Sequence, residues 1–525
     1  MIAPHRLRAP RRHGEVVAEP PLDEVGPLLV LNRQRLRPPG FTILGRPWDD
    51  LRWQARQAAV TAAQDYLRRA GEPVPSADPA SLLLAGHQPE LFHPGVWVKN
   101  FALNGLARRH GATPINLIID NDTVKSTALH LPAVRVPLPP TSAFQPHLLS
   151  VSFDRWSPEV PYEERTVQDE ALFASLPDRA RQPWGYVPLL DEFWAEVLRQ
   201  AQRTDLLGER LAAARRTWER RWGCHNLELP VSVLCRTEPF AWFACHLLAE
   251  LPRLHAIYNA CVHEYRRQYG IRSRNHPVPD LAAQDDWLEA PFWAWRSGQL
   301  RRGRLMARIS ESTLELRVGD EQWPSLPLTT HQMTAAWRSL EAHGFKVRSR
   351  ALTNTLFVRL FLGDLFLHGI GGGKYDELTD EIIRRFYGLE PPGYLVLSAT
   401  LLLPLPCYPE SADDCRRLAQ QLRDLYYNPQ RYLADRPDLG HLVAQKQAWI
   451  ARQPTDRSQR RERFQMLRAL TEQLRSALGG RIAQQEQELA ECERRLQANA
   501  ILRRRDYPFC LYPESLLRPF CTQFL

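Results

Sequence analysis

The stretch from Ser81 to Lys125 constrains the fold of this chain more than any other. An apolar run, Ser81-Leu82-Leu83-Leu84-Ala85, ends in Gly86-His87-Gln88-Pro89-Glu90-Leu91-Phe92-His93. A helix-like segment follows over 96–110, then a second apolar run over 115–119 that ends in Asp120-Asn121-Asp122. Short apolar runs bounded by turn residues read as buried strands, and their alternation with a helix reads as a β-α-β unit of a parallel sheet. Ligands of such sheets bind beyond the carboxyl ends of the strands, so residues 86–93 and 120–125 are expected to share one crevice.

At 525 residues the chain exceeds what one hydrophobic core serves, and two or three structural units are expected. The pattern divides it into an N-terminal arm and helix (1–80), an α/β core (81–410) and a helical C-terminal region (411–525). Within the core, a helical insertion falls around 155–228 and a small β segment around 272–325. The net charge of +9 invites a nucleic-acid partner. That reading is set aside, because the arginines alternate with Glu and Gln on helical faces, as over 457–468, and cluster only near the termini. Residues 1–14 are basic with no apolar segment behind them, which predicts a flexible arm and no secretory signal. The longest apolar stretch, 394–405, is too short to span a bilayer and reads as a buried strand. Nine cysteines without a CxxC pair predict no disulfide framework and a reducing, cytoplasmic setting.

Three segments carry candidate chemistry. In the first, Gly86 lets a ligand approach the backbone, and His87, Gln88 and His93 bind or protonate a substrate; the alternative is a tight turn with structural histidines. No metal site is expected, since His87, Glu90 and His93 lack ligand spacing. In the second, Asp120, Asn121, Asp122, Thr123 and Lys125 carry a heavier polar load than a helix cap demands, which points to amine or hydroxyl recognition or base chemistry. The third runs from Arg350 and Asn354 through His368 to Gly371-Gly372-Gly373-Lys374, Asp376 and Glu377. It is not a P-loop, because His368 stands at the first glycine position and Tyr375 follows the lysine. It reads as a glycine-rich loop ahead of a helix over 378–387, its amides free for an anion. The chain has only five lysines, and Lys99, Lys125 and Lys374 lie in these segments, where a compact cation suits phosphate or carboxylate. Cys224, Cys235, Cys245 and Cys261 read as buried thiols, not nucleophiles.

Over 457–500, Phe464, Leu467, Leu470, Leu474, Leu478, Ile482, Leu489, Cys492 and Leu496 recur at three- and four-residue steps, a coiled-coil pattern that Gly479-Gly480 interrupts. The break is either a turn between two antiparallel helices or a weak point in one long helix. The aromatic tail, Tyr507-Pro508-Phe509 and Leu511-Tyr512-Pro513, is expected to dock.

With these segments in view, the chain resembles the cysteine ligase family of bacillithiol biosynthesis, BshC. The likeness lies in Gly86-His87-Gln88-Pro89-Glu90-Leu91-Phe92, in 229–243 with Tyr258-Asn259, in 349–377 and in the strand over 394–398, with a long C-terminal helix pair. The first glutamine of the family's glycine-glutamine-glutamine motif is His87 here, its acidic motif after the second strand is reduced to Asp120-Asn121-Asp122, and the helix after the first motif places its lysine differently from Lys99. The resemblance implies a Rossmann-like, nucleotidyltransferase-like core and a coiled coil that forms a homodimer. It also implies a ligase that joins an amino acid, cysteine in the family, to a small amine such as an amino-sugar conjugate. In that picture Gly86, His87 and Gln88 hold an anion or nucleotide, Asp120 and Asp122 orient or deprotonate the amine, and residues 371–374 bind a carboxylate or phosphate. A nucleotide cofactor is open, since no complete nucleotide motif is present. The rival expectation is a non-catalytic coiled-coil scaffold with a decayed site. The enzymatic expectation requires the three segments to meet at one rim.

Overall fold

The computed structural model describes residues 7–133, 146–157, 160–299 and 301–525. Along the chain the main sheet takes β1 (Val16–Glu19), β2 (Leu82–His87), β3 (Thr113–Ile118) and β4 (Leu227–Pro230). A second sheet then takes β5 (Trp287–Arg296), β6 (Gly303–Ser310), β7 (Thr313–Val318), β8 (Glu321–Pro327) and β9 (Phe345–Ser349), after which β10 (Leu365–His368) and β11 (Leu395–Ala399) return to the first. The main sheet has the order β1-β11-β10-β2-β3-β4, parallel throughout except for β1 at the edge. Numbered in chain order, its five parallel strands run 3-2-1-4-5, so the winding reverses between β2 and β10. Leu367 of β10 pairs with Ala85 of β2, which sets His368 beside Gly86 at the strand ends.

Both faces of this sheet are covered, which is why its strands are mostly apolar on both faces, with Asn116 and Glu228 as buried polar exceptions. Leu83, Ala85, Leu365, Leu367, Leu395 and Leu397 pack on one face beneath α1 (Val25–Arg35) and α3 (Pro94–Arg109). Their neighbours Leu82, Leu84, Ile115, Leu117 and Phe366 point the other way, as the period-two pleat requires, into the core under α2 (Trp48–Arg69). The protein is thus a mixed α/β chain with a parallel-strand sheet, about half of it helical. No described helix is long and apolar enough to cross a membrane.

Several expectations change. The described part of the arm, 7–14, is docked: Gly14 N–H donates to the Thr400 carbonyl at 2.8 Å and Thr400 Oγ1 donates to the Pro10 carbonyl at 2.6 Å, just before β1 pairs with β11. Residues 1–6 and the proline-rich 134–145 lie outside the described residues. The small β segment is a six-stranded antiparallel sheet, counting the two-residue strand Ala283–Gln284 beside β5, and it extends to Ser349 because β9 pairs with β5. The fourth main strand stops at Pro230, where Val231–Leu234 turns helical.

In the C-terminal region, helices over Ala412–Tyr427, Gly440–Ala451, Arg457–Ser476 and Gly479–Leu502 are present, and Tyr507, Phe509 and Tyr512 are buried as expected. The break at 477–478 is not a hairpin turn. Both residues keep near-helical dihedrals (φ −73, ψ −16; φ −103, ψ 9), so the chain continues as a bent rod. The rod's two halves pair with other helices, Arg457–Ser476 with Gly440–Ala451 and Gly479–Leu502 with Ala412–Tyr427. A disulfide joins Cys415 to Cys492 across the second pair, Cα atoms 5.7 Å apart. The expectation of reduced cysteines throughout fails there, since partners 77 residues apart leave no spacing signal.

Candidate functional site

The exits of β2 and β3 are bonded to each other: Ile119 N–H donates to the His87 carbonyl at 3.0 Å and Gln88 Nε2 to Asp122 at 2.9 Å. The expected shared rim therefore exists. Above it, α3 turns Lys99 inward, so that Nζ lies 3.4 Å from the Gly86 carbonyl with the residue 4 % exposed. No carboxylate pairs with Lys99 among the described residues. Burial alone pulls its ammonium down to about 8. Burial, and next the Lys99 charge, push the His87 imidazole down to about 3; burial and Arg505 push His93 down to about 4. Arg505 reaches this corner from the C-terminal tail and donates to Ser398 Oγ at 3.0 Å and to the Ala399 carbonyl at 2.9 Å. Gly95 is required here, because a Cβ would stand 2.0 Å from that carbonyl. The result is a corner of basic groups in which Asp506 lends its charge to Arg505 and His93 while Lys99 pairs with no carboxylate among the described residues, so that the desolvated ammonium favours an incoming anion.

One strand over, Asp120 accepts from Ser232 N–H at 2.9 Å and from Ser232 Oγ. Burial, then the neighbouring Glu163 charge, raise its carboxyl to about 7 against those bonds. Asp120 and Ser232 open into a cleft of about 350 Å³ with Tyr162, Glu163, Arg203 and Lys346. An acid that titrates near neutrality at the wall of a cleft is suited to accept or give a proton. Asp122 is not so placed. Burial would raise its carboxyl, but Arg302 at 2.9 Å and the Gln88 amide outweigh it and hold it below the usual range. It is a structural ion pair, and a catalytic role for it is withdrawn. Asn121 is likewise engaged, donating to the Ser349 carbonyl at 2.7 Å, while Lys125 is exposed on the rim.

The third segment requires the largest correction. Residues 371–373 are not a loop: α6 is not preceded by one, because the helix already begins at Ile370. With α4 as Leu207–Arg221 and α5 as Ala351–Phe357, α6 is Ile370–Ile382. Gly369 caps α6 without a side-chain bond, and the first intrahelical bond runs from Gly373 N–H to the Gly369 carbonyl at 2.9 Å. The amides of Ile370, Gly371 and Gly372 therefore project from the helix end, and space is open around Gly369 and Gly371. Gly372 and Gly373 serve packing instead. A Cβ would lie 2.8 Å from His368 Nδ1 at the first and 2.5 Å from Val396 Cγ2 at the second.

The acids beyond are structural. Asp376 is 1 % exposed between Arg359 Nη1 (2.7 Å) and His368 Nε2 (2.8 Å), and Glu377 accepts from Tyr269 OH at 2.6 Å. Burial would raise Asp376, yet Arg359 and His368 hold it far below the carboxylate range. Lys374 lines a different cleft, with Asp380 and Tyr394. Arg350 bonds Glu289 and lies 4.7 Å over Trp293, and Asn354 accepts from Ser349 Oγ at 3.4 Å, both at the junction with the second sheet. Thus Asp376, Glu377, Arg350 and Asn354 are withdrawn as ligand contacts because each is committed elsewhere by its neighbours, and Lys374 because it faces a different cleft.

Sequence reasoning missed Ser232, Glu163 and Arg505. Only Ser232, just beyond a strand end, carried a local signal. The four cysteines read as buried thiols are buried, and burial raises each of them, which removes the thiolate a nucleophile needs. Among the described residues no group of three or more His, Cys, Asp or Glu stands together as a metal site. No family model matches the chain, and no curated protein matches it.

Proposed function

We propose that the protein is a ligase or transferase of the BshC type, in which the basic corner holds an anionic group and Asp120 takes the proton of an attacking amine. The observation that carries the reading is Lys99, buried without a carboxylate beside Gly86, where the winding of the sheet reverses. In open α/β sheets that reversal is where ligands bind, and the 3-2-1-4-5 order supports a Rossmann-like, nucleotidyltransferase-like core. The projecting amides of α6 border the same strand end and add a partial positive charge for phosphate.

The reaction we propose forms an amide bond. The carboxylate of an amino acid, cysteine in the resembled family, would attack the α-phosphorus of a nucleoside triphosphate and displace pyrophosphate, with the phosphates held by Lys99, His93 and the α6 amides. The amine nitrogen then attacks the activated carbonyl carbon, the phosphate-bearing group leaves with the electron pair, and the amine proton passes to Asp120 near Ser232. His87, held neutral by burial, contributes a hydrogen bond and no charge.

Lys99→Met is the test. A charge-assisted contact is worth about 1.5–3 kcal/mol, so ATP or pyrophosphate should bind at least about tenfold more weakly, and the melting temperature should lose most of its ATP-dependent rise. An undiminished rise removes the proposal. The scaffold reading retains one favouring observation, the loss of Asp122 to Arg302, and predicts that neither nucleotides nor amino sugars stabilise the wild type. For the C-terminal helices we propose the homodimer contact, supported by Phe464 at 63 % exposure in the middle of its helix. Phe464→Glu should sediment as a monomer where the wild type sediments as a dimer.

A further inference from the structure

At the opposite edge of the main sheet, where β2 and β10 begin, a cleft of about 700 Å³ collects arginines from two helices. Arg33 and Arg37 come from the end of α1 and the turn after it, while Arg52 and Arg56 stand one turn apart on α2. The floor is Asp364, 2 % exposed, and it is saturated. Arg56 grips it through two bonds of 3.0 Å, Arg52 Nη2 and Leu82 N–H each donate at 3.2 Å, and Arg33 Nε stands 3.7 Å away. One buried carboxylate thus faces three guanidinium groups. Burial, with the Arg56 charge behind it, brings Arg52 down to about 10, so Asp364 does not fully compensate it.

The rim has Asp49 and Asp78, both exposed, and the Asp78 carboxylate already accepts from Ala80 N–H at 2.8 Å. Arg37 is exposed and pairs with no carboxylate among the described residues. His110 turns a buried Nε2 without a partner into this wall, its imidazole lowered by burial and then by the charges of Arg109 and Arg33. Trp53 stands at the mouth, 44 % exposed, an unusual place for an indole.

We infer that this cleft is a second binding site, distinct from the carboxyl-edge crevice, for a nucleoside phosphate. Guanidinium forks match phosphate oxygens in two-bond geometry, and the volume lies within the range of small-molecule sites. A base stacks on an exposed indole face at the mouth while its phosphates reach Arg33, Arg37 and the accessible edge of Arg52. The site lies at the amino end of the two strands whose carboxyl ends frame Lys99, and it does not depend on the reading of that crevice.

Titration calorimetry with ADP and with inorganic pyrophosphate on the full chain tests the inference. Arg33→Ala with Arg37→Ala leaves the Arg56–Asp364 pair intact, so the fold is kept. This double variant should lose at least about tenfold in affinity for both probes at this site, and Lys99→Met should leave the site unchanged. Trp53→Ala should weaken ADP several-fold and leave pyrophosphate as it was. Wild-type affinity in the double arginine variant overturns the site, and equal ADP affinity in Trp53→Ala overturns the nucleoside.

Discussion

Asp120→Asn is expected to lower turnover by about 10²–10⁴-fold while the protein folds as before, because general-base catalysis is worth that much and the amide is nearly isosteric. The asparagine oxygen still accepts from Ser232 N–H, and its NH₂ donates to Ser232 Oγ in place of the present bond. Stability separates this residue from an ordinary acid. Its carboxyl lies at about 7 in the folded chain against an ordinary value of 3.8, so between those values the native state holds a proton that the unfolded chain has lost. Stability contributed by Asp120 is therefore present below the lower value and falls as pH rises through the window, by about 2–4 kcal/mol for a half-buried group. The asparagine variant lacks that fall. Urea titrations at pH 4.5 and 7.5 should show the variant gaining on the wild type at the higher pH; parallel behaviour would mean that Asp120 does not titrate as described.

Glu228 is expected to be the most costly side chain to remove near the site. It is 1 % exposed on β4 and holds Arg215 and Arg216 of α4, with Asn116 Nδ2 donating at 2.8 Å. Burial would raise its carboxyl, but Arg215 and then Arg216 bring it down to about 2. Glu228→Leu leaves Arg215 with Glu219 alone and Arg216 with Glu72 alone, and breaking this buried network should cost about 3 kcal/mol. Glu228→Gln keeps the shape and should cost less, while losing the acid-dependent part. That part is stability present above the ordinary value of 4.5 and lost as pH falls toward 2. A urea midpoint unchanged in Glu228→Leu would contradict the pairing. The network continues through Glu219, which accepts from Arg215 Nη1, Trp97 Nε1 and Asn100 Nδ2, each at 2.7 Å, and so anchors the helix that presents Lys99.

The strands and helices near Lys99 were legible because their signals are local. An apolar run of five residues needs burial on two faces wherever it lies, and a glycine-histidine-glutamine turn after it marks a strand end. Residues 370–377 were misread for a local reason as well: three consecutive glycines weaken a helix in isolation by about 1 kcal/mol each. Packing on His368 and Val396 pays that cost at two of the three positions, because only a residue without a side chain fits there. At the C-terminal rod Gly479 and Gly480 left a turn and a weak point in one long helix both open, and pairing with the partner helices decided between them.

From its residues alone, this chain specifies buried parallel strands alternating with helices, polar residues gathered at the strand ends, and an amphipathic C-terminal rod. Tertiary structure decided which charges meet. Asp122 is bound by Arg302, Asp364 by Arg56, 308 residues away in the chain, and Asp376 by Arg359, while Lys99 meets no carboxylate among the described residues and Asp120 faces a cleft. An ion pair depends on the distance between atoms that only the packed core brings together, and a local pattern carries no record of that distance.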